Sequence, residues 1–177
     1  FTKTMDGWLL LSGTYGCGKT HLAAAIGNAR LQQGDNVLFM TAPDVLDHLR
    51  GTFAPSSEVN YDETFERIRN ARLLILDDLG AESPSSWAQE NLYPLFTHRY
   101  AHRLPTVITT NVDIDRLDPR IRSRLLDGSL IRHGKIIAPD FRTAQKPSDS
   151  LSGKWLYSEM TFDRFDTERN ATHEEQL

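Results

Sequence analysis

Eight consecutive residues, Gly13, Thr14, Tyr15, Gly16, Cys17, Gly18, Lys19 and Thr20, satisfy G-x-x-x-x-G-K-[ST] at every fixed position. The spacing follows from what it takes to hold a chain of phosphates. Glycines let the backbone turn so that successive N–H groups point inward, and the helix that follows adds the partial positive charge of its N-terminus. Lys19 then reaches the β- and γ-phosphates, and the Thr20 hydroxyl is placed to ligate Mg²⁺. We expect ATP to contact Gly13 through Thr20 and the adjoining His21, with Cys17 filling space rather than acting as a nucleophile.

A second chemical cluster ends the apolar run Leu73–Leu76, which stops at Asp77-Asp78. An acid at the C-terminal tip of a buried strand sits where an α/β site holds a metal. Asp77 is the expected Mg²⁺ ligand, Asp78 the residue that orients and deprotonates water, and Glu82 a second candidate for that base. Thr109-Thr110-Asn111 ends the next apolar run, so Asn111 is placed either to contact the γ-phosphate or attacking water, or simply to make a turn. Residues 98–135 hold eight Arg or Lys (Arg99, Arg103, Arg116, Arg120, Arg122, Arg124, Arg132 and Lys135) against four Asp. Arg120 and Arg124 share one helical face, with Arg122 on the other. That face either supplies charge to a nucleotide on a neighbouring copy or is solvated, with Arg124 pairing to Asp127. His98 and His102 are four apart, but no third ligand accompanies them, so no zinc site is assigned.

These groups need a scaffold that brings strand tips together. Short apolar runs at 8–11, 37–40, 73–76, 106–109 and 130–138 alternate with helical segments at 19–33, 61–70 and 86–101, a pattern that predicts a parallel α/β sheet. Thr41 should cap a short helix carrying Pro43 in its first turn, Pro94 could kink the helix at 86–101, and an Arg-rich helix should follow Pro119. Residues 52–60 read as an exposed loop. Beyond Arg142, residues 143–153 have linker character, and 154–177 hold an aromatic patch (Trp155, Tyr157, Phe162, Phe165) and a polar tail.

The chain has 177 residues, 20 Lys+Arg against 24 Asp+Glu, one Cys and 39% apolar residues. One domain of that size buries a sizeable core, and a single thiol excludes an intrachain disulfide framework. A net charge of −4 argues against a surface coated for nucleic acid without excluding a local basic face. No stretch approaches the roughly 18 apolar residues of a membrane span and no leader pattern is present, so the expectation is a cytoplasmic protein with no membrane partner.

Gly13–Thr20, Leu73–Gly80, Thr106–Asn111 and Arg120–Leu125 together resemble the AAA+ ATPase modules of DnaC/DnaI-type replicative helicase loaders and of the related IstB transposition helpers. The strings 73–82 and 16–26 look especially like that branch. The resemblance implies an α/β P-loop NTPase core over 1–142, with a five-stranded parallel sheet and no clear helical lid. Lys19 and Thr20 would be its Walker A pair, Asp77 and Asp78 its Walker B pair, and Asn111 its sensor. Arg124 would be an arginine finger acting in trans within a homo-oligomer. Asp78 stands where glutamate is common, which implies slow hydrolysis, and Arg142 is the candidate for a second sensing arginine. The implied function is a DNA-replication accessory ATPase that uses Mg²⁺ and ATP, prefers single-stranded DNA and partners a replicative helicase. The alternatives are an IstB-like helper on duplex DNA and a nucleotide kinase. Met160–Phe165 resembles a segment that precedes the core and lies near the adenine in such loaders, so the numbering is expected to depart from covalent order between Leu177 and Phe1. A C-terminal extension docked on the core is the simpler account.

Overall fold

The strands at the centre of the sheet form because helices cover both of their faces. The computed structural model describes residues 6–52, 60–82 and 85–141. Strands β1 (Trp8–Gly13), β2 (Val37–Thr41), β3 (Leu73–Asp77), β4 (Thr106–Thr110) and β5 (Ile131–Ile136) form one sheet in the order β2-β3-β4-β1-β5. All four pairings are parallel. Central strands β3 and β4 are buried at every position, as strands covered on both faces are, and they bury Asp77 and three threonines along with their apolar residues. Edge strand β5 buries only Ile131 and is shorter than the strand expected at 130–138.

Helices α1 (Lys19–Gln32), α2 (Ala42–Gly51), α3 (Tyr61–Arg69), α4 (Ser86–Ala101) and α5 (Pro119–Leu125) connect the strands. Local chemistry sets their starts. Thr41 accepts the Asp44 N–H at 3.1 Å at the head of α2, Asn60 caps α3, and Ser85 accepts the Ala88 N–H at 3.1 Å at the head of α4. Asp118 caps α5, where Pro119 takes the first position that needs no N–H. Helix α4 runs unbroken through Pro94. A single 3-10 turn at Ile114–Arg116, not anticipated from the sequence, links β4 to α5.

Two apolar layers hold the sheet. Leu11, Ala23, Ile26, Leu73, Ile75 and Val107 pack α1 against one face. The larger layer, with Trp8, Leu10, Leu74, Leu76, Leu95, Phe96 and Ile108, seats α2 to α5 against the other. Truncating any of these buried leucines costs about 2–5 kcal/mol. One member of the basic stretch belongs to this interior. Arg99 is 1% exposed, so it is no part of a charged surface. Its guanidinium donates to Thr106 Oγ1 and to the carbonyls of Arg69, Ala71 and Pro105, at 2.6–2.9 Å. Burial pulls its pKa down to about 10, which leaves it cationic at neutral pH. The linker-like stretch 143–153, the segment 154–177, Arg142 and residues 53–59 of the expected loop lie outside the described residues.

Candidate functional site

Parallel order puts the C-terminal tips of β1, β3 and β4 side by side, and the site is built on those tips. The loop leaving β1 turns into α1 through Gly18, whose φ of +96° is a left-handed conformation that a side chain would strain. Gly18 offers no side-chain cap, and the first turn of α1 carries no acid, so its N–H groups and dipole are left to an incoming anion. Lys19 is buried and its ammonium donates to the carbonyls of Gly13, at 3.1 Å, and Thr14, at 2.6 Å. Cys17 is also buried, with its sulfur 3.6 Å from Lys19 Nζ, in keeping with a space-filling role. Tyr15, by contrast, is 69% exposed at the loop tip. His21 is half-buried on the first turn of α1.

Asp77 ends β3 with only 3% of its surface exposed. The Thr20 hydroxyl lies 3.0 Å from both of its carboxylate oxygens, and the Thr109 hydroxyl donates to Oδ1 at 2.6 Å. Burial pushes the Asp77 carboxyl above its ordinary pKa, while the Thr109 and Thr20 hydroxyls pull it back. A buried anion faced by hydroxyls is under-compensated, and a divalent cation would relieve it. The donors present, a carboxylate and a hydroxyl, are hard oxygens of the kind Mg²⁺ takes. The residues therefore fit the metal that the loop motif implies.

Asp78 is the next residue and turns sharply, with φ of +55°, a conformation aspartate tolerates better than most side chains. Two bonds hold it there. Its N–H donates to Thr109 Oγ1 at 3.0 Å, and Asn111 Nδ2 donates to its Oδ1 at 2.7 Å. Asn111 is thus an orienting partner of Asp78 rather than a bare turn residue. Glu82 folds back onto its own turn, where it accepts the Gly80 N–H at 2.9 Å.

The structure gathers Lys19, Thr20, Asp77, Asp78 and Asn111, and sets Arg124 apart on α5. Arg124 does not use Asp127, the partner its spacing offered. It donates to the Arg120 carbonyl at 2.8 Å and to the Tyr93 hydroxyl at 3.3 Å, and its guanidinium lies 4.8 Å from the Tyr93 ring centre. Asp127 instead accepts a short hydrogen bond from Tyr100. His98 meets Asn70 at 2.8 Å, and its ring centre lies 4.3 Å from that of His102 with the two planes tilted by 31°.

Two contributors escaped the sequence reading. Thr109 ties both aspartates together, and its signal was a hydroxyl residue on a buried strand beside the acidic one. The segment after β5 packs against the phosphate loop. Phe141 N–H donates to the Gly16 carbonyl at 3.2 Å, and a Cβ on Gly16 would lie 1.6 Å from Asp140 Oδ1. No local pattern announces that contact. A groove of about 430 Å³ between α1 and β2, lined by Gly27, Leu31, Phe39 and Met40 among others, contains no residue of the loop.

Known proteins can now be set beside this geometry. The replicative helicase loader DnaC of Escherichia coli strain K12 is 29% identical over 118 residues, covering 67% of this chain and 48% of that protein. The chain spans about half the length of the curated relatives it matches. A crystal structure of the DnaC helicase loader aligns with a TM-score of 0.64 at 26% identity, covering 77% of this chain and 81% of that one. A crystal structure of DnaI aligns with a TM-score of 0.61 at 29% identity, covering 76% and 72%. The fold is that of the P-loop AAA+ ATPase domains, as the sequence led us to expect. Among the described residues no helix is long and apolar enough to cross a membrane. The family described as IstB-like ATP binding protein matches residues 1–138, and the chain belongs to it.

Proposed function

We propose that this chain is a Mg²⁺-dependent ATPase that serves DNA replication in the cytoplasm by loading a replicative helicase onto single-stranded DNA. The observation that carries the ATPase reading is the pair of aspartates locked at the tip of β3, one against Thr20 of the phosphate loop and the other against Asn111. Relatives named as helicase loaders, similar in sequence and in structure, support the biological role.

In this reading the loop amides and Lys19 bind the phosphates, with the Lys19 ammonium leaving the Gly13 and Thr14 carbonyls for phosphate oxygens. Magnesium, held by Thr20 and Asp77, would neutralise phosphate charge. Asp78, aimed by Asn111, accepts a proton from water as the water oxygen bonds to the γ-phosphorus. The bond to the ADP oxygen breaks and its electron pair leaves with ADP. Arg124 of a neighbouring copy offsets the charge that develops, so the active form is a homo-oligomer.

A second reading has one observation in its favour, the match to the IstB-like family: a transposition helper that works on duplex DNA. Turnover measured without DNA, with single strands and with duplex separates the two. We expect single strands to stimulate most. Stimulation by duplex alone would move the assignment to the transposition helper. Lys19→Ala is the control, expected to lose at least roughly 10²-fold in turnover, as when one positioned charge-stabilising donor is removed. Unchanged turnover in Lys19→Ala would overturn the site itself.

A further inference from the structure

Helix α5 carries three arginines, and the structure treats them differently. Arg120 is neutralised by Asp118, with Nη2 3.1 Å from Oδ2 and Nε 3.2 Å from Oδ1. Arg122 faces Asp115 at 3.4 Å. Arg124 meets neutral groups: the Arg120 carbonyl, the Tyr93 hydroxyl, and the ring faces of Tyr93 at 4.8 Å and Tyr100 at 5.8 Å. Among the described residues it is the one arginine of α5 with no carboxylate partner. A guanidinium has five N–H donors, two on each terminal nitrogen. The bonds to Arg120 and Tyr93 use one on each, and so leave one donor on each terminal nitrogen unused.

The surface under Arg124 is built rather than incidental. Tyr93 and Tyr100 are seven apart on α4 and therefore lie on one face. Tyr100 is fixed at both ends, its ring edge-on to buried Trp8 at 6.2 Å and its hydroxyl bonded to Asp127. Tyr93 is fixed by the second guanidinium, Arg120, 4.4 Å from its ring centre. A long side chain otherwise loses rotamer freedom each time it engages a ligand, and stacking on a fixed ring removes that cost beforehand.

We infer that Tyr93, backed by Tyr100, is a positioning residue for Arg124, holding its uncompensated guanidinium ready for the phosphates bound by a neighbouring copy. The inference rests on the trans-acting role given to Arg124 above and names the part of α4 that makes that role effective.

The test compares full-length Arg124→Ala, Tyr93→Leu, Tyr93→Phe and the Tyr93→Leu/Arg124→Ala double variant in ATP turnover, KM and thermal melting. Arg124→Ala should lower kcat by about 10³-fold, in line with other arginine fingers. Tyr93→Leu should lower kcat roughly tenfold and Tyr93→Phe about threefold, with KM within about twofold, since misplacing a catalytic group spares binding. The double variant should be no slower than Arg124→Ala, because the tyrosine acts through the arginine. Mixing supplies a readout that a merely structural role would not move. Tyr93→Leu subunits, whose own nucleotide site is intact, should recover turnover when Asp78→Asn subunits supply a well-held Arg124.

Wild-type kcat in both Tyr93 variants, a further tenfold loss in the double variant, or no recovery on mixing each overturns the inference. Should Tyr93→Leu fail to fold, Tyr93→Phe decides by the same kcat criterion. Wild-type turnover in Arg124→Ala would remove the trans role itself and this inference with it. A large loss in Arg124→Ala with none in the Tyr93 variants would remove the positioning inference alone.

Discussion

The two ends of the sheet each bury a charge, and they satisfy it in opposite ways. At the end where β3 and β4 begin, Arg99 is enclosed by three backbone carbonyls and the Thr106 hydroxyl. Trp8 adds a bond from Nε1 to the Leu104 carbonyl at 3.0 Å, so the turn before β4 is tied from both sides. At the end where the strands finish, Asp77 is met by the hydroxyls of Thr20 and Thr109. Carbonyls of a folded backbone cannot turn away, whereas hydroxyls rotate about one bond. A charge enclosed by backbone is committed to structure. A charge enclosed by rotatable side chains can exchange partners when a ligand arrives. Lys19 rests on two loop carbonyls and so departs from that rule: its partners are fixed, and what lets it exchange them is its own flexible four-carbon stem.

If that contrast is correct, the largest loss of stability comes from the end with no chemistry. Arg99→Leu removes the donor to three half-buried backbone carbonyls, and of those Arg69 O and Ala71 O lie just before β3. We expect a cost of about 3–5 kcal/mol, the range for emptying one side of a buried charged network, read from chemical denaturation. ATP affinity of the fraction that remains folded should be unchanged. A cost under about 1 kcal/mol would mean that water replaces the guanidinium, and the contrast would lose its structural half.

Thr109→Val comes next, and it should act in both currencies. The shape is kept, but Asp77 loses a 2.6 Å bond and the Asp78 N–H loses its acceptor. Leaving a buried donor unpaired costs about 1–3 kcal/mol. Turnover should fall as well, because both aspartates lose a tether. A variant with full activity and full stability would show that Thr109 merely fills β4.

How much of this was legible in advance depends on how local each signal is. The phosphate loop and the strand at 73–76 were readable because motif and fold element are the same few residues. Thr41 as a cap and a short Arg-rich helix next to Pro119 were readable for the same reason, although the helix takes in Pro119 itself as its first residue. Arg99 was only counted among the basic residues of 98–135 and its burial was not foreseen, since nothing within one turn of helix says that the chain before β3 will close over it. Thr109 was half-visible: a strand-ending Thr-Thr-Asn announces a site, but only the parallel register with β3 places that hydroxyl on Asp77. The packing of Asp140 and Phe141 on the loop joins residues more than a hundred positions apart, which no spacing rule reaches.

The sharpest form of the comparison is a change that stability should ignore. Asp78→Asn keeps the volume, keeps a side chain that accepts the left-handed turn, and keeps an oxygen for the Asn111 amide. The backbone bond to Thr109 is untouched. Stability should move by less than about 0.5 kcal/mol, as for substitutions that break no buried interaction. The amide, however, cannot take a proton from water, so turnover should fall by about 10²-fold or more while ATP still binds. Equal turnover in Asp78→Asn would pass the base role to Glu82, whose carboxylate rests two residues away on Gly80. Glu82→Gln would then show the loss that Asp78→Asn did not.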